Sequence, residues 1–259
     1  MIYKAQSSHI GSNFSCIDIL TVLYSIINLD KELKEDRDRV IFSKGWAAAS
    51  AYYFLADKGV ISHEGLDSYG DSDTGMFGLV ERGVRGIEAS TGSMGHGLPI
   101  GVGIALASKR SSSPFTTYVL MSDGEMDCGT TWESALLASH HKLDNLVVIV
   151  DYNKLQAMGE KRDILNIEPL FDKWRAFGWS VSKTDGHNHE NLEIDLNAAG
   201  KNSTHLASIY YEPGKPRVLI CNTTKGKGVS FMENNNLWHY KNISDEEYQL
   251  ACEELSSNN

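Results

Sequence analysis

Five short apolar runs constrain this chain most: RVIFS (39–43), TTYVLM (116–121), NLVVIV (145–150), WSVSKT (179–184) and RVLICNT (217–223). Each is a strand-length block rich in β-branched residues, and longer segments with helical apolar spacing lie between them. Uninterrupted apolar strands must be covered on both faces, and intervening helices let successive strands pair in parallel. The expected fold is therefore α/β, a parallel β-sheet flanked by helices on both faces. Helices are expected over 16–29, 47–59, 96–110, 130–143 and 168–178, the last closed by Gly178. With 259 residues and 41% hydrophobic content, the chain can bury one large core, so a single domain over 1–259 is expected.

Ligands of such sheets lie outside the carboxyl ends of the strands. SDGEMDCGTTW (122–132) stands at one of these ends and brings Asp123, Glu125 and Asp127 together, while DYNKLQAMG (151–159) follows the next strand. An EF-hand loop counted from Asp123 needs Gly at its sixth position and Glu at its twelfth; Cys128 and Ser134 stand there instead. For Glu125 and Asp127, a role in answering the dipole of the following helix is as good a reading as any chemistry. Asp123 differs, because the DG pair can turn the chain sharply while Gly124 opens its backbone N–H to a phosphate. Asn153, thirty residues on, is one crossover helix and one strand away. A carboxylate, an amide oxygen and a nearby backbone carbonyl suit a hard octahedral cation, Mg²⁺ first of all, that keeps positions for diphosphate oxygens.

A net charge of −10 argues against nucleic acid and anionic membrane as partners. Cys16, Cys128, Cys221 and Cys252 have no C-x-x-C spacing, which suggests neither a zinc ribbon nor a disulfide framework and fits a reducing cytoplasm. No apolar run reaches membrane-spanning length, and MIYKAQSSHIGSN lacks the apolar stretch of a signal peptide.

SDG followed by DYNKLQ resembles the signature of thiamine-diphosphate enzymes. Together with SSHIGSNFSCIDIL (7–20), RDRVIFSKG (37–45), IEASTGSMGHG (87–97), WESALLASHHKLDNLVVIVDYNKLQ (132–156) and TKGKGVSFMENNNLWH (224–239), it resembles the N-terminal half of a transketolase, most of all the split type. The resemblance implies that Asp123, Asn153 and the Leu155 carbonyl hold Mg²⁺, or Ca²⁺ or Mn²⁺ in its place. Gly92, Ser93, Met94, Gly124 and Glu125 would contact the cofactor. His9 would face the reactive carbon and substrate hydroxyls, and His239 would lie near both diphosphate and substrate. Glu133 would belong to a carboxylate network joining two active sites. A pyrimidine-binding subunit would be a separate polypeptide, giving a heterotetramer with two copies of each chain. The family usually carries a helix before SSHIG, of which MIYKAQ would be the remainder.

Three departures stand out. Trp46 occupies the place of a histidine that touches the cofactor diphosphate; as the cofactor contact there it offers one N–H and no switchable charge. MFGLVERGVRG (76–86) has no histidine where the family has one on substrate hydroxyls, and Cys128 replaces an acid of the network. The implied activity is transfer of a two-carbon ketol unit from a ketose to an aldose, with a sugar or sugar-phosphate substrate and a partner chain. A carboligase acting on an unusual or nucleotide-linked sugar and a noncatalytic assembly paralogue remain open alternatives. His140 and His141, on one helix, read as packing residues, and Lys225 and Lys227 read equally well as phosphate contacts or as a solvated loop.

Overall fold

The computed structural model describes residues 1–112, 115–199 and 212–257. Its centre is a five-stranded parallel sheet of β1 (Arg39–Phe42), β2 (Thr117–Ser122), β3 (Leu146–Tyr152), β6 (Ser180–Asp185) and β7 (Arg217–Asn222), in the order β1-β2-β3-β7-β6. A two-stranded antiparallel hairpin, β4 (Leu155–Gln156) and β5 (Gly159–Glu160), follows β3. Every strand expected from the apolar runs is present.

Alternate strand residues face opposite layers. Val40, Phe42, Tyr118, Leu120, Val147, Ile149, Leu219 and Cys221 pack with helices α1 (Ile10–Ile26), α2 (Ala48–Asp57) and α7 (His189–Ala199). Ile41, Val119, Met121, Val148, Val150, Val218 and Ile220 pack with α3 (Gly97–Lys109), α4 (Gly129–His140) and α6 (Leu170–Ala176). Burying one such side chain is worth about 1.5–3 kcal/mol, which holds the two helical layers against the sheet. Gly101 lets α3 lie close, since a Cβ there would meet Val119 Cγ2 at 2.5 Å; Gly103 faces nothing within 4 Å. A third apolar cluster joins Ile10, Val229, Met232, Trp238 and Ile243 with α8 (Asp245–Ser257), beneath the segment that carries His239. A four-residue helix, α5 (Lys161–Ile164), follows the hairpin.

α1 begins at Ile10, not at Cys16 as its apolar run suggests, and ends at Ile26. The early turn is polar because Ser12, Asn13 and Ser15 are buried toward the sheet's carboxyl edge, where they make hydrogen bonds. α6 runs 170–176 within the expected 168–178, and Gly178, at φ +87°, follows it in the left-handed region. No expectation covered α7 or α8.

Candidate active site at the carboxyl edge

The strand ends supply the site. Ser43 and Lys44 follow β1, Asp123 follows β2, Asp151 is the last residue but one of β3 with Asn153 just beyond its end, and Lys225 follows β7. Except for Asp151, these residues line a cavity of ≈ 220 Å³, whose wall also takes Ser12, Trp46, Gly92, Met94, Gly124, Glu125, Leu155 and His239.

Its floor is a buried ion pair. Lys44 Nζ contacts Asp151 Oδ2 and donates to Ser12 O (2.7 Å) and Ser15 Oγ (2.9 Å). Asp151 also accepts from Ser15 Oγ at 2.5 Å and from Thr223 Oγ1. Burial pushes the Asp151 carboxyl upward, but the Lys44 charge and these donors outweigh it and hold it below the usual carboxylate range. Burial disfavours the Lys44 ammonium too, and Asp151 more than offsets that. The pair is closed on itself.

Asp123 has no such partner. It is 1% exposed, and its one hydrogen bond among the described residues is from Lys154 N to Oδ2 (2.8 Å). Burial, then the neighbouring Asp151 charge, lifts its carboxyl to about 7. Lys154 adopts φ 66°, and the turn it makes brings Asn153 and Leu155 to the same wall. Asn153 Oδ1 accepts from Leu155 N (3.0 Å), while Nδ2 reaches Ser15 Oγ and Asp151 Oδ2 at 3.4 Å. The three residues read as metal ligands thus converge on one cavity. No group of three or more His, Cys, Asp or Glu suited to a metal exists among the described residues, so a cation here would draw on carbonyl and amide oxygens as well. At Gly124 a Cβ would come no closer than 3.7 Å to the nearest protein atoms, so packing does not require glycine there, and the residue lies on the cavity wall.

Glu125 is more occupied than the sequence suggests. It is fully buried, its Oε1 accepts from Ser43 Oγ and Gly95 N (3.1 Å), and its Oε2 accepts from Ser122 N (2.8 Å). With Ser122 it forms a capping box on the 3₁₀ turn Asp123–Asp127. It touches the cavity, but its oxygens tie β1, β2 and the Gly95 loop together. Asp127 accepts from Gln156 Nε2 (2.7 Å) and Lys161 Nζ, which pins the hairpin. Gly92 and Met94 line the cavity, whereas Ser93 is exposed and off its wall. Gly92 has φ 149°, and a Cβ there would strike Leu79 Cδ2 at 2.5 Å. Glu133 lies exposed on α4, away from the cavity. Of the pair His140 and His141, the first is exposed and the second half-buried at the end of α4.

Four rings gather at one side. Trp46 lies flat on His9 (4.1 Å, 16°), and His239 and Tyr240 meet His9 edge-on at 5.0 and 5.6 Å. His9 is buried and off the cavity wall; Ser8 Oγ lies 2.6 Å from its Nδ1, and Nε2 has no partner. Leaving such a group unpaired costs about 1–3 kcal/mol. Lys225, 1% exposed, donates to His239 Nδ1 (2.7 Å). Burial and then the Lys225 charge lower His9 to about 4 and His239 to about 3, while burial and Lys44 lower Lys225 to about 8. Both imidazoles are neutral at pH 7, and His239, accepting at Nδ1, carries its proton on Nε2.

Sequence reasoning missed Lys44, Asp151, Ser15 and Thr223. It left Lys225 undecided; the structure buries it in the cavity, and Lys227 is the exposed one, paired with Glu233 at 3.3 Å.

Comparison with known proteins identifies the family. Residues 1–258 match the family described as "Transketolase, thiamine diphosphate binding domain". The chain is 40% identical over 259 residues to an apulose-4-phosphate transketolase subunit of Phocaeicola vulgatus, covering 99% of this chain and 89% of that protein. It is 36% identical over 258 residues to the 6-deoxy-6-sulfo-D-fructose transketolase subunit of a Clostridium species, covering 98% and 90%. A crystal structure of transketolase from Campylobacter jejuni superposes with a TM-score of 0.88 at 29% identity, covering 99% of this chain and 40% of that one. The chain therefore belongs to the transketolase family, matching its thiamine-diphosphate-binding domain. Among the described residues, no helix is long and apolar enough to cross a membrane.

Proposed function

We propose that this chain is the diphosphate-binding subunit of a split transketolase-type enzyme. It would transfer a two-carbon ketol unit from a ketose to an aldose acceptor. The observation that carries this reading is the convergence of Asp123, Asn153, Leu155 and Lys225 on one cavity, with Asp123 buried and in no ion pair among the described residues. Thiamine diphosphate, when bound, supplies the chemistry that breaks and forms the carbon–carbon bond. The chain's own residues bind and orient. Asp123, Asn153 and the Leu155 carbonyl would hold Mg²⁺, whose preference is for hard oxygen donors. Lys225 would set a buried ammonium against the diphosphate, and Gly124 would leave room for it. His239 Nε2–H is a donor for a substrate oxygen. The Lys44–Asp151 pair holds the strand ends in register beneath these groups.

The similar proteins carry "subunit" in their names, which supports a partner polypeptide. We assign that partner the pyrimidine-binding part, as two copies of each chain. Both similar proteins are named for sugars with an anionic substituent, so the donor class proposed is a sugar phosphate or sugar sulfonate. The test is coexpression with the product of the adjoining reading frame, followed by donor screening with thiamine diphosphate and Mg²⁺. Ketol transfer from such a donor supports the reading. A confirmed complex that binds no cofactor refutes it and establishes the rival reading of a noncatalytic assembly subunit, which Trp46 and the histidine-free segment 76–86 favour.

A further inference from the structure

We propose that Trp46 is a positioning residue for His9, fixing the plane of its imidazole and keeping water from its unpartnered nitrogen. The consequence for catalysis rests on the ketol-transfer reading; the positioning itself rests on geometry.

Trp46 sits in the 3₁₀ turn Gly45–Ala47 directly after β1, and its ring lies nearly parallel to the imidazole. The two backbones are tied by one buried amide. Asn13 Nδ2 donates to His9 O (2.9 Å) and Trp46 O (3.2 Å), and its Oδ1 accepts from Ser50 N and Ser50 Oγ, each at 2.9 Å. Those bonds fix the two backbones relative to one another, and the stacked contact sets one ring against the other. His9 is also held at φ 72° as the residue before α1, a backbone state that non-glycine residues keep only when their surroundings impose it. Nε2 has neither exposed surface nor a hydrogen-bond partner among the described residues.

The groups that face His9 come from three other segments. They are Lys44 after β1, Lys225 after β7, and the rings of His239 and Tyr240. Both charged groups are cations, and burial acts in the same direction, so His9 stays neutral. An indole in this position can never add a charge of its own. Trp46 lines the cavity and is 38% exposed, whereas His9 is buried and off the cavity wall, so the indole covers one face of the imidazole.

The test is histidine-ring ¹⁵N–¹H NMR of the full chain across pH, comparing wild type with Trp46→Phe and Trp46→Leu. Wild type and Trp46→Phe should show one neutral tautomer of His9 that titrates far below the ordinary range. Trp46→Leu, which keeps apolar bulk but offers no ring face, should raise that titration by about one pH unit or more and mix the tautomers. With the partner bound, Trp46→Leu should lower kcat while the donor KM stays within about twofold, and Trp46→Phe should restore kcat. Trp46→Met replaces the leucine variant should that one not fold. An unchanged His9 titration and tautomer in the leucine or methionine variant overturns the proposal. So does a phenylalanine variant that behaves like leucine. The NMR readout needs neither cofactor nor turnover, so a chain that fails to bind thiamine diphosphate refutes the proposed function and leaves this test intact.

Discussion

Replacing Asp123 by asparagine should stabilise the ligand-free chain at alkaline pH while abolishing its response to cofactor. Burial and the nearby Asp151 charge lift the Asp123 carboxyl from 3.8 to about 7. The folded state therefore binds this proton more tightly than the unfolded chain does, and ionisation opposes folding. The penalty is absent below pH 3.8, grows as pH rises through the interval to about 7, and is complete above it. At about 1.36 kcal/mol per unit it amounts to at most ~4 kcal/mol, or roughly 8–16 °C in Tm for a domain of this size. The asparagine amide is neutral throughout, so the Tm gap between Asp123→Asn and wild type should be widest near pH 8 and shrink to less than half by pH 5. Thiamine diphosphate with Mg²⁺, at 100 times its Kd, should then raise wild type by about 2.7 kcal/mol and leave the variant unmoved. Differential scanning calorimetry across pH, with and without both ligands, reads each effect. Equal melting of the two chains at pH 8 would refute the electrostatic argument, and a Mg²⁺-dependent rise that survives in Asp123→Asn would refute the metal assignment.

Lys225→Met should weaken thiamine diphosphate binding about tenfold to a hundredfold in titration calorimetry, because a charge-assisted hydrogen bond is worth about 1.5–3 kcal/mol. It should not lower the stability of the ligand-free chain, where burial already disfavours the ammonium. Lys44→Met strands Asp151 as a buried, unpaired charge and should cost about 3–5 kcal/mol in a denaturant titration. Gly101→Ala drives a methyl to within 2.5 Å of Val119 and should cost about 1–3 kcal/mol. Gly103→Ala, with nothing within 4 Å, should gain up to about 1 kcal/mol from helix propensity. Glu133→Gln should leave the isolated chain's Tm unchanged, since this side chain is exposed, and should alter only association or coupling with the partner.

Most strands were legible because they are buried along nearly their whole length, which makes the apolar run continuous; β6, at the sheet edge with Lys183 and Asp185 exposed, is the polar exception. The first turn of α1 was not legible, because Ser12, Asn13 and Ser15 are buried as hydrogen-bonding groups and read locally as a polar loop. α8 was hidden by its polar character, EEYQLACEEL, in which Ala251 is the fully buried residue. At the site, Asp123, Gly124 and Asn153 could be read because turn chemistry and donor spacing are local. Lys44 and Asp151 could not, since they lie 107 positions apart and only the pairing of β1, β2 and β3 brings them together. Glu125 shows the opposite failure. Its sequence context suggests a ligand contact or a dipole effect, whereas its oxygens close a capping box and bind Ser43 and Gly95. Glu133 stands where the resemblance has a network member, but a single chain offers it no partner.

Charge decides how such a chain can hold a diphosphate at all. With a net charge of −10, its surface repels a polyanion at long range, so attraction has to come from the site. At the cavity the Lys44–Asp151 pair neutralises itself and Glu125 is taken up by hydrogen bonds from Ser43, Gly95 and Ser122, which leaves Lys225 as the buried cation and Asp123 as the buried carboxylate with the fewest donors among the described residues. Lys225 alone cannot offset both a diphosphate and Asp123. A divalent cation on Asp123 would relieve the burial penalty of that carboxylate and supply the missing positive charge in the same step. This is why cofactor and metal should bind together and neither should bind well alone. Trp46, which lines the cavity, adds no titratable charge to this balance. Titrating thiamine diphosphate at fixed Mg²⁺, and Mg²⁺ at fixed thiamine diphosphate, should therefore give coupling of equal size in both directions. Tight diphosphate binding without a divalent cation would show that Lys225 and the backbone donors suffice.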